Sequence, residues 1–185
     1  MDFIHQALEN FVGFLSQPET LHVFVSNRFL MILLVVFLLK IKYMTYTNIG
    51  LSALVNICGT SLHEIAHFVT GLVLNAQPTN LTLWPRKIDG RYVLGQCDFR
   101  NIRFYNAFPA ALAPLMLLVL GYMLNKWFFA NIKVGYLNYI GYIFLQTVLI
   151  ENALPSRQDV KVAFSNPLGV VMYVALILAL MVLFL

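Results

Sequence analysis

Cysteine is nearly absent. The chain has two, Cys58 inside an apolar run and Cys97 in a connecting segment, so it can build neither a disulfide framework nor a cysteine-based zinc site. Charge is also scarce: 11% of the 185 residues are charged and 60% are hydrophobic, with a mean hydropathy of +0.77. That balance is far from a soluble globule of this size and makes a lipid bilayer the expected solvent. Acids are the rarest charged class, eight against twelve Lys and Arg. The resulting charge of +4 does not point to nucleic acid as a partner. The basic residues flank apolar runs, where they set topology and meet anionic headgroups. No cleavable signal peptide, internal repeat or low-complexity tract is visible.

What the chain does have is apolar runs along its whole length. Five candidate spans fall at 28–46, 49–75, 104–124, 134–154 and 168–185. The expected fold is an all-α polytopic membrane protein forming one membrane domain over 1–185. Residues 1–27 precede the spans and mix Asp2, His5, Glu9 and Glu19 with Phe3, Ile4, Leu8, Phe11 and Phe14, a pattern suited to an interfacial helix. An odd number of spans puts the termini on opposite sides. Eight basic residues (Arg28, Arg86, Lys87, Arg91, Arg100, Arg103, Arg157, Lys161) then share one side against four (Lys40, Lys42, Lys126, Lys133) on the other, which predicts a cytoplasmic N-terminus. Between the second and third spans, Leu81-Thr82-Leu83-Trp84, a turn at Asp89-Gly90 and Arg91-Tyr92-Val93-Leu94 predict a small β-hairpin. Tyr136, Tyr139 and Tyr142 are expected to anchor at the interface or pack between helices.

His63-Glu64-Ile65-Ala66-His67 is an H-E-x-x-H element inside the second span. At about 100° per residue, His67 is turned about 40° from His63, so both imidazoles can reach one metal ion from adjacent turns. Glu64 flanks the pair, where its carboxylate can take a proton from water attacking a carbonyl and pass it to the leaving amine. Two histidines and an acid at membrane depth are costly without partners, which makes them functional candidates. His5 and His22 lie in the N-terminal segment and are expected at the interface. Cys58 points about 140° away from His63 and is expected to pack rather than ligate.

Catalytic zinc needs at least one more protein ligand and an open coordination position. With so few acids the choices are narrow. Asp159 is the first candidate, in Glu151-Asn152-Ala153-Leu154-Pro155-Ser156-Arg157-Gln158-Asp159, where Pro155 interrupts the fourth span. Glu151 is the alternative ligand, and an ordinary loop acid paired with Arg157 or Lys161 is the alternative role for Asp159.

H-E-x-x-H in one span, followed much later by an Asn-x-x-Pro-then-Asp segment, resembles the site-2 protease family of intramembrane zinc metalloproteases, over roughly residues 49–165. The resemblance implies a catalytic core with one Zn2+ per chain held by His63, His67 and Asp159, Glu64 as general base, and Asn152 positioning substrate or stabilising the oxyanion. Ala113-Pro114 is the nearest match to the Gly-Pro element of the family's third core helix, and Val160 stands where many members have glycine. The expected activity is hydrolysis of peptide bonds in a membrane protein or membrane-anchored peptide, near the cytoplasmic face, with an accessory membrane protein as a further partner. A non-catalytic membrane scaffold or chaperone-like binder is the alternative from another class. A zinc transporter is disfavoured, because the third and fifth spans offer almost no polar path.

Overall fold

A computed structural model describes residues 2–84, 86–88, 91–93 and 95–184. Nine helices and four short strands run in the order α1 (Asp2–Leu15), α2 (Pro18–Ser26), α3 (Arg28–Met44), α4 (Ile49–Val73), β1 (Pro78–Thr82), β2 (Arg86–Ile88), β3 (Arg91–Val93), β4 (Gln96–Phe99), α5 (Ala107–Ala111), α6 (Met116–Asn131), α7 (Tyr136–Asn152), α8 (Arg157–Ala163) and α9 (Pro167–Phe184) among the described residues. The fold is mostly helical with a little antiparallel β-structure. Two compact units form, residues 1–44 with 124–147 and residues 45–123 with 148–185.

In the first unit an aromatic cluster does the packing. Phe24 meets the rings of Tyr136 and Tyr139 at centroid distances of 5.3 and 5.7 Å, and Tyr139 donates its hydroxyl to the Val25 carbonyl at 3.1 Å. Tyr142 stacks on Phe128 at 4.5 Å and donates to Asn125 Oδ1 at 2.7 Å. Of the two roles expected for these tyrosines, packing between helices is the one observed. The Tyr139 and Tyr142 hydroxyls are satisfied in this packing.

The second unit is organised by α4. Asn48 caps its start, accepting from the Gly50 and Leu51 amides at 3.0 and 3.2 Å. Its end is a Schellman turn. Asn75 takes a left-handed φ of 54°, and the Asn75 and Ala76 amides donate back to the Leu72 and Gly71 carbonyls at 3.2 and 2.8 Å. The side chain of Asn106, completely buried, then ties this end to the segment before α5: it donates to the Leu74 and Asn101 carbonyls and accepts from the Arg103 amide at 2.7 Å. Asn106→Ala leaves three part-buried backbone groups without this partner and is expected to cost about 2 kcal/mol, read as a lower thermal midpoint in detergent.

The structure corrects the predicted hairpin. Leu81 and Thr82 belong to β1, which pairs with β4 rather than with residues 91–94, and Arg91–Val93 pairs instead with Arg86–Ile88. The register shifts from Pro78↔Phe99 through Thr82↔Gln96 to Arg86↔Val93; among the described residues the two ladders are separate two-stranded sheets, and β2 and β3 lie between β1 and β4 in the chain, a nested antiparallel ribbon. Asn80, with φ 49°, supplies the first irregularity; an extra residue in one strand produces this kind of shift. The turn expected at Asp89-Gly90, like Leu94, lies outside the described residues.

The expected span at 104–124 is also corrected. It breaks into α5, a 3-10 turn at Ala113–Leu115 and α6, which runs on to Asn131. Pro114 has no N–H to give and its ring clashes with the carbonyl four residues back, so regular helix cannot pass through it. Close packing takes over instead. Ala107, Ala110, Ala111 and Ala113 are all buried, Phe108 stacks on Tyr173 of α9, and Tyr173 donates to the Tyr105 carbonyl at 2.6 Å.

Among the described residues one helical stretch, Ala113–Asn131, is long and apolar enough to cross a membrane. There are up to three such stretches if α2 with α3, bent by 71°, and α8 with α9, bent by 87°, each count as one span. Of the other predicted spans, α7 is 17 residues long and α4 carries Asn56, His63, Glu64 and His67 in its interior.

Candidate metal centre

Helix α4 presents His63 and His67 one turn apart, with ring centroids 4.8 Å apart and Nε2 atoms 3.2 Å apart. His67 is buried, 3% exposed, and Glu64 is 8% exposed. The third group comes from far along the chain. Asp159 of α8 brings Oδ2 to 3.5 Å from His63 Nε2 and Oδ1 to 3.3 Å from His67 Nε2. These are the three residues expected as ligands, and their donor atoms all lie within 4.8 Å of one another. Glu151, at the end of α7, is not in this group, and Asp159 faces the histidines rather than standing as a loop acid.

Local sequence explains how Asp159 is aimed. Helix α7 ends at Asn152, Pro155 follows, and Ser156 starts α8 as its N-cap. Ser156 Oγ accepts from the Asp159 amide at 3.2 Å, and the Ser156 amide donates to Asp159 Oδ2 at 2.6 Å, a reciprocal capping box. The carboxylate is therefore held from behind before it meets the imidazoles. Ser156→Ala removes the hydroxyl that holds the Asp159 amide and keeps the backbone amide that holds its carboxylate, so it is expected to weaken metal binding by no more than roughly tenfold, with a stability cost of about 1 kcal/mol. Zinc competition against a chromophoric chelator measures the first effect, and thermal unfolding measures the second.

The histidines are held from behind as well. His63 Nδ1 donates to the Asn152 carbonyl at 2.7 Å and His67 Nδ1 donates to the Ala110 carbonyl at 2.8 Å. A carbonyl can only accept, so each Nδ1 carries a proton, and in its neutral form each ring turns an Nε2 lone pair inward. With both rings neutral, two imidazole lone pairs and a carboxylate converge with no donor between them, an arrangement that a metal cation resolves. Ligands about 2.0–2.1 Å from zinc at a tetrahedral angle stand about 3.3 Å apart; the two Nε2 atoms stand 3.2 Å apart, and Asp159 meets each through a different oxygen, at 3.3 and 3.5 Å. His63, His67 and Asp159 can hold one metal ion, and the carbonyls behind the histidines supply the outer-shell support typical of such sites.

Asn152 enters the site in a way the sequence did not suggest. Its backbone carbonyl holds His63, while its side-chain amide donates to the Val148 carbonyl at 2.8 Å and packs onto Gly59, where any Cβ would overlap it. Gly95, between β3 and β4, is the second close approach. A Cβ there would stand 2.8 Å from Glu64 Cγ and 2.6 Å from Thr60 Cγ2, so the ribbon backbone passes directly over the acid. Ser156, Ala110, Gly59 and Gly95 were not anticipated. Only Ser156 carried a readable signal, the Ser-x-x-Asp pattern of a capping box.

The remaining candidates stay outside the cluster. His5 lies beside Glu9 at 3.3 Å in the first unit. Cys58 is exposed. Burial, with Glu64, Asp98 and Asp159 nearby, pushes the Cys97 thiol up to about 12, which keeps it protonated and a poor ligand at neutral pH. No protein-family model, no curated protein and no solved structure matches this chain, so what the centre does has to follow from its own donors and their surroundings.

Proposed function

We propose that the protein is an integral membrane zinc endopeptidase, of the kind its resemblance to site-2 proteases implies, acting on membrane-embedded or membrane-proximal segments. The observation that carries this reading is the convergence of His63 Nε2, His67 Nε2 and the Asp159 carboxylate beside a buried Glu64. Three protein ligands are the number found at catalytic zinc, whereas structural zinc usually has four. Bound zinc would supply Lewis acidity toward a carbonyl oxygen and lower the pKa of a water. Glu64 takes the proton as the water oxygen bonds to the scissile carbonyl carbon, and returns it to the amine as the C–N bond breaks. A non-catalytic scaffold has no use for that acid.

The membrane setting is part of the same proposal. Large apolar side chains stand exposed on α6 (Met116, Val119, Met123) and on α9 (Val171, Leu178, Val182), more than a water-facing surface of this size carries. The five-span arrangement, the cytoplasmic N-terminus and an active site nearer the cytoplasmic face belong to this reading, as do a membrane protein or membrane-anchored peptide as substrate and an accessory membrane protein as partner. Peptide bonds in a substrate helix are hydrogen-bonded and shielded, so the substrate has to become extended. Strand β4 pairs only with β1 among the described residues, and a strand edge of this ribbon could hold such a segment by β-augmentation.

The test is cleavage of a panel of single-span helices by the zinc-loaded protein in detergent or liposomes, with the new termini identified by mass spectrometry. Zinc-dependent cleavage at discrete bonds is expected. A zinc-loaded, folded protein that cuts none of them would favour the scaffold.

A further inference from the structure

The carbonyl behind His67 is available because of a proline. In a continuous helix the Ala110 carbonyl would accept from the amide of residue 114. Residue 114 is Pro114, which has no N–H. The last α-type bond before the break runs from the Leu112 amide to the Phe108 carbonyl, and a 3-10 bond from the Leu115 amide to the Leu112 carbonyl follows it, each at 3.0 Å. The Ala110 carbonyl instead receives His67 Nδ1–H at 2.8 Å, inside a wall of buried alanines.

We propose that Pro114 is a positioning residue for the metal centre, which keeps the Ala110 carbonyl free and so fixes the tautomer and the ring orientation of His67. The inference rests on reading His67 as a metal ligand and deepens it. With Nδ1–H committed to Ala110, the Nε2 lone pair has one direction, toward His63 and Asp159. With an amide at residue 114, helix can close through the break, Ala110 gains a backbone donor, and His67 is released to put its proton on Nε2, where a ligand needs a lone pair.

Pro109 is the internal control. It sits in the first turn of α5, where an N–H has no acceptor within the helix, and the carbonyl four residues back, Tyr105, accepts from Tyr173 rather than from a histidine. Pro109→Ala therefore removes a proline from the same segment without offering a donor to Ala110.

Two readouts separate a positioning role from a merely structural one. The first is zinc affinity by competition titration of wild type, Pro114→Ala and Pro109→Ala. The expected result is a roughly 10–100-fold loss in Pro114→Ala and none in Pro109→Ala. The second is the 15N spectrum of histidine-labelled apo protein, with His67 assigned by its loss in His67→Ala. His67 should be the Nδ1–H tautomer in wild type and Pro109→Ala, and shift toward Nε2–H in Pro114→Ala. If Pro114→Ala does not fold, Pro114→Gly restores the same N–H with less drive to close the helix and takes its place. Wild-type affinity and an unchanged tautomer in the folded Pro114 variant would overturn the proposal while leaving the ligand assignment standing. A wild type that binds no zinc would remove the ligand assignment first.

Discussion

Replacing Glu64 by glutamine is expected to lower the rate of substrate cleavage roughly a thousandfold or more while the protein keeps its metal. The amide is nearly isosteric with the carboxylate and sits in the same buried space beneath Gly95, so the fold has little reason to change. It cannot take a proton from water at neutral pH, and a general base of this kind typically supplies a factor of about 10²–10⁴. Because Glu64 is not one of the three converging donors, zinc content should match wild type. A single-turnover assay with excess enzyme reads the chemical step without product release. Cleavage within a few-fold of wild type would remove Glu64 from the mechanism.

Asp159→Ala is expected to have the opposite pattern, with metal and activity lost together. The Asp159 carboxylate meets the two imidazoles and accepts from the Ser156 amide, and the substitution removes both contacts while the residue 159 amide keeps its bond to Ser156 Oγ. Ser156→Ala removes the other half of the capping box, at a cost of about 1 kcal/mol, and keeps the carboxylate with its Ser156 amide partner, so comparing the two variants separates loss of the ligand from loss of the cap hydroxyl. Loss of zinc affinity in Asp159→Ala should exceed the roughly 10–100-fold that loss of a supporting contact costs, and His67→Ala should behave the same way. Equal zinc affinities in Asp159→Ala and Ser156→Ala would reduce Asp159 to a capping residue.

The parts of the site that could be read from the sequence are those with a fixed local period or a distinctive residue. H-E-x-x-H on one helix determines that two imidazoles share a face whatever surrounds them. Asp159 was reachable because acids are few and Pro155 marks where the chain must leave the helix. The ribbon was harder. Its existence follows from alternation and turn residues, but its pairing depends on irregularities such as Asn80 with its left-handed backbone, and each one-residue shift turns a strand over. The span at 104–124 failed for a related reason. Hydropathy averages over a window and does not register that Pro114 breaks the helix, so the apolar stretch begins nine residues later than predicted, at Ala113. Backbone carbonyls carry no side-chain signal at all, which is why Ala110 and the main chain of Asn152 could be found only in three dimensions.

These misses share a theme. Both histidines are steered by carbonyls at places where helix is interrupted, Ala110 before Pro114 and Asn152 at the end of α7. In a regular helix each carbonyl already accepts from the amide four residues on, whereas a carbonyl at a break is open to a donor from another element. The breaks that spoil a prediction of uninterrupted spans are therefore the features that orient the centre.

The most direct test of the central claim is the zinc content, by elemental analysis, of detergent-purified wild type beside His67→Ala, Asp159→Ala and Glu64→Gln, after zinc supplementation and desalting. The account predicts about one zinc per chain in wild type and Glu64→Gln and a clear deficit in the other two. A well-folded wild type that retains no zinc, or one whose zinc survives both ligand substitutions, would contradict it.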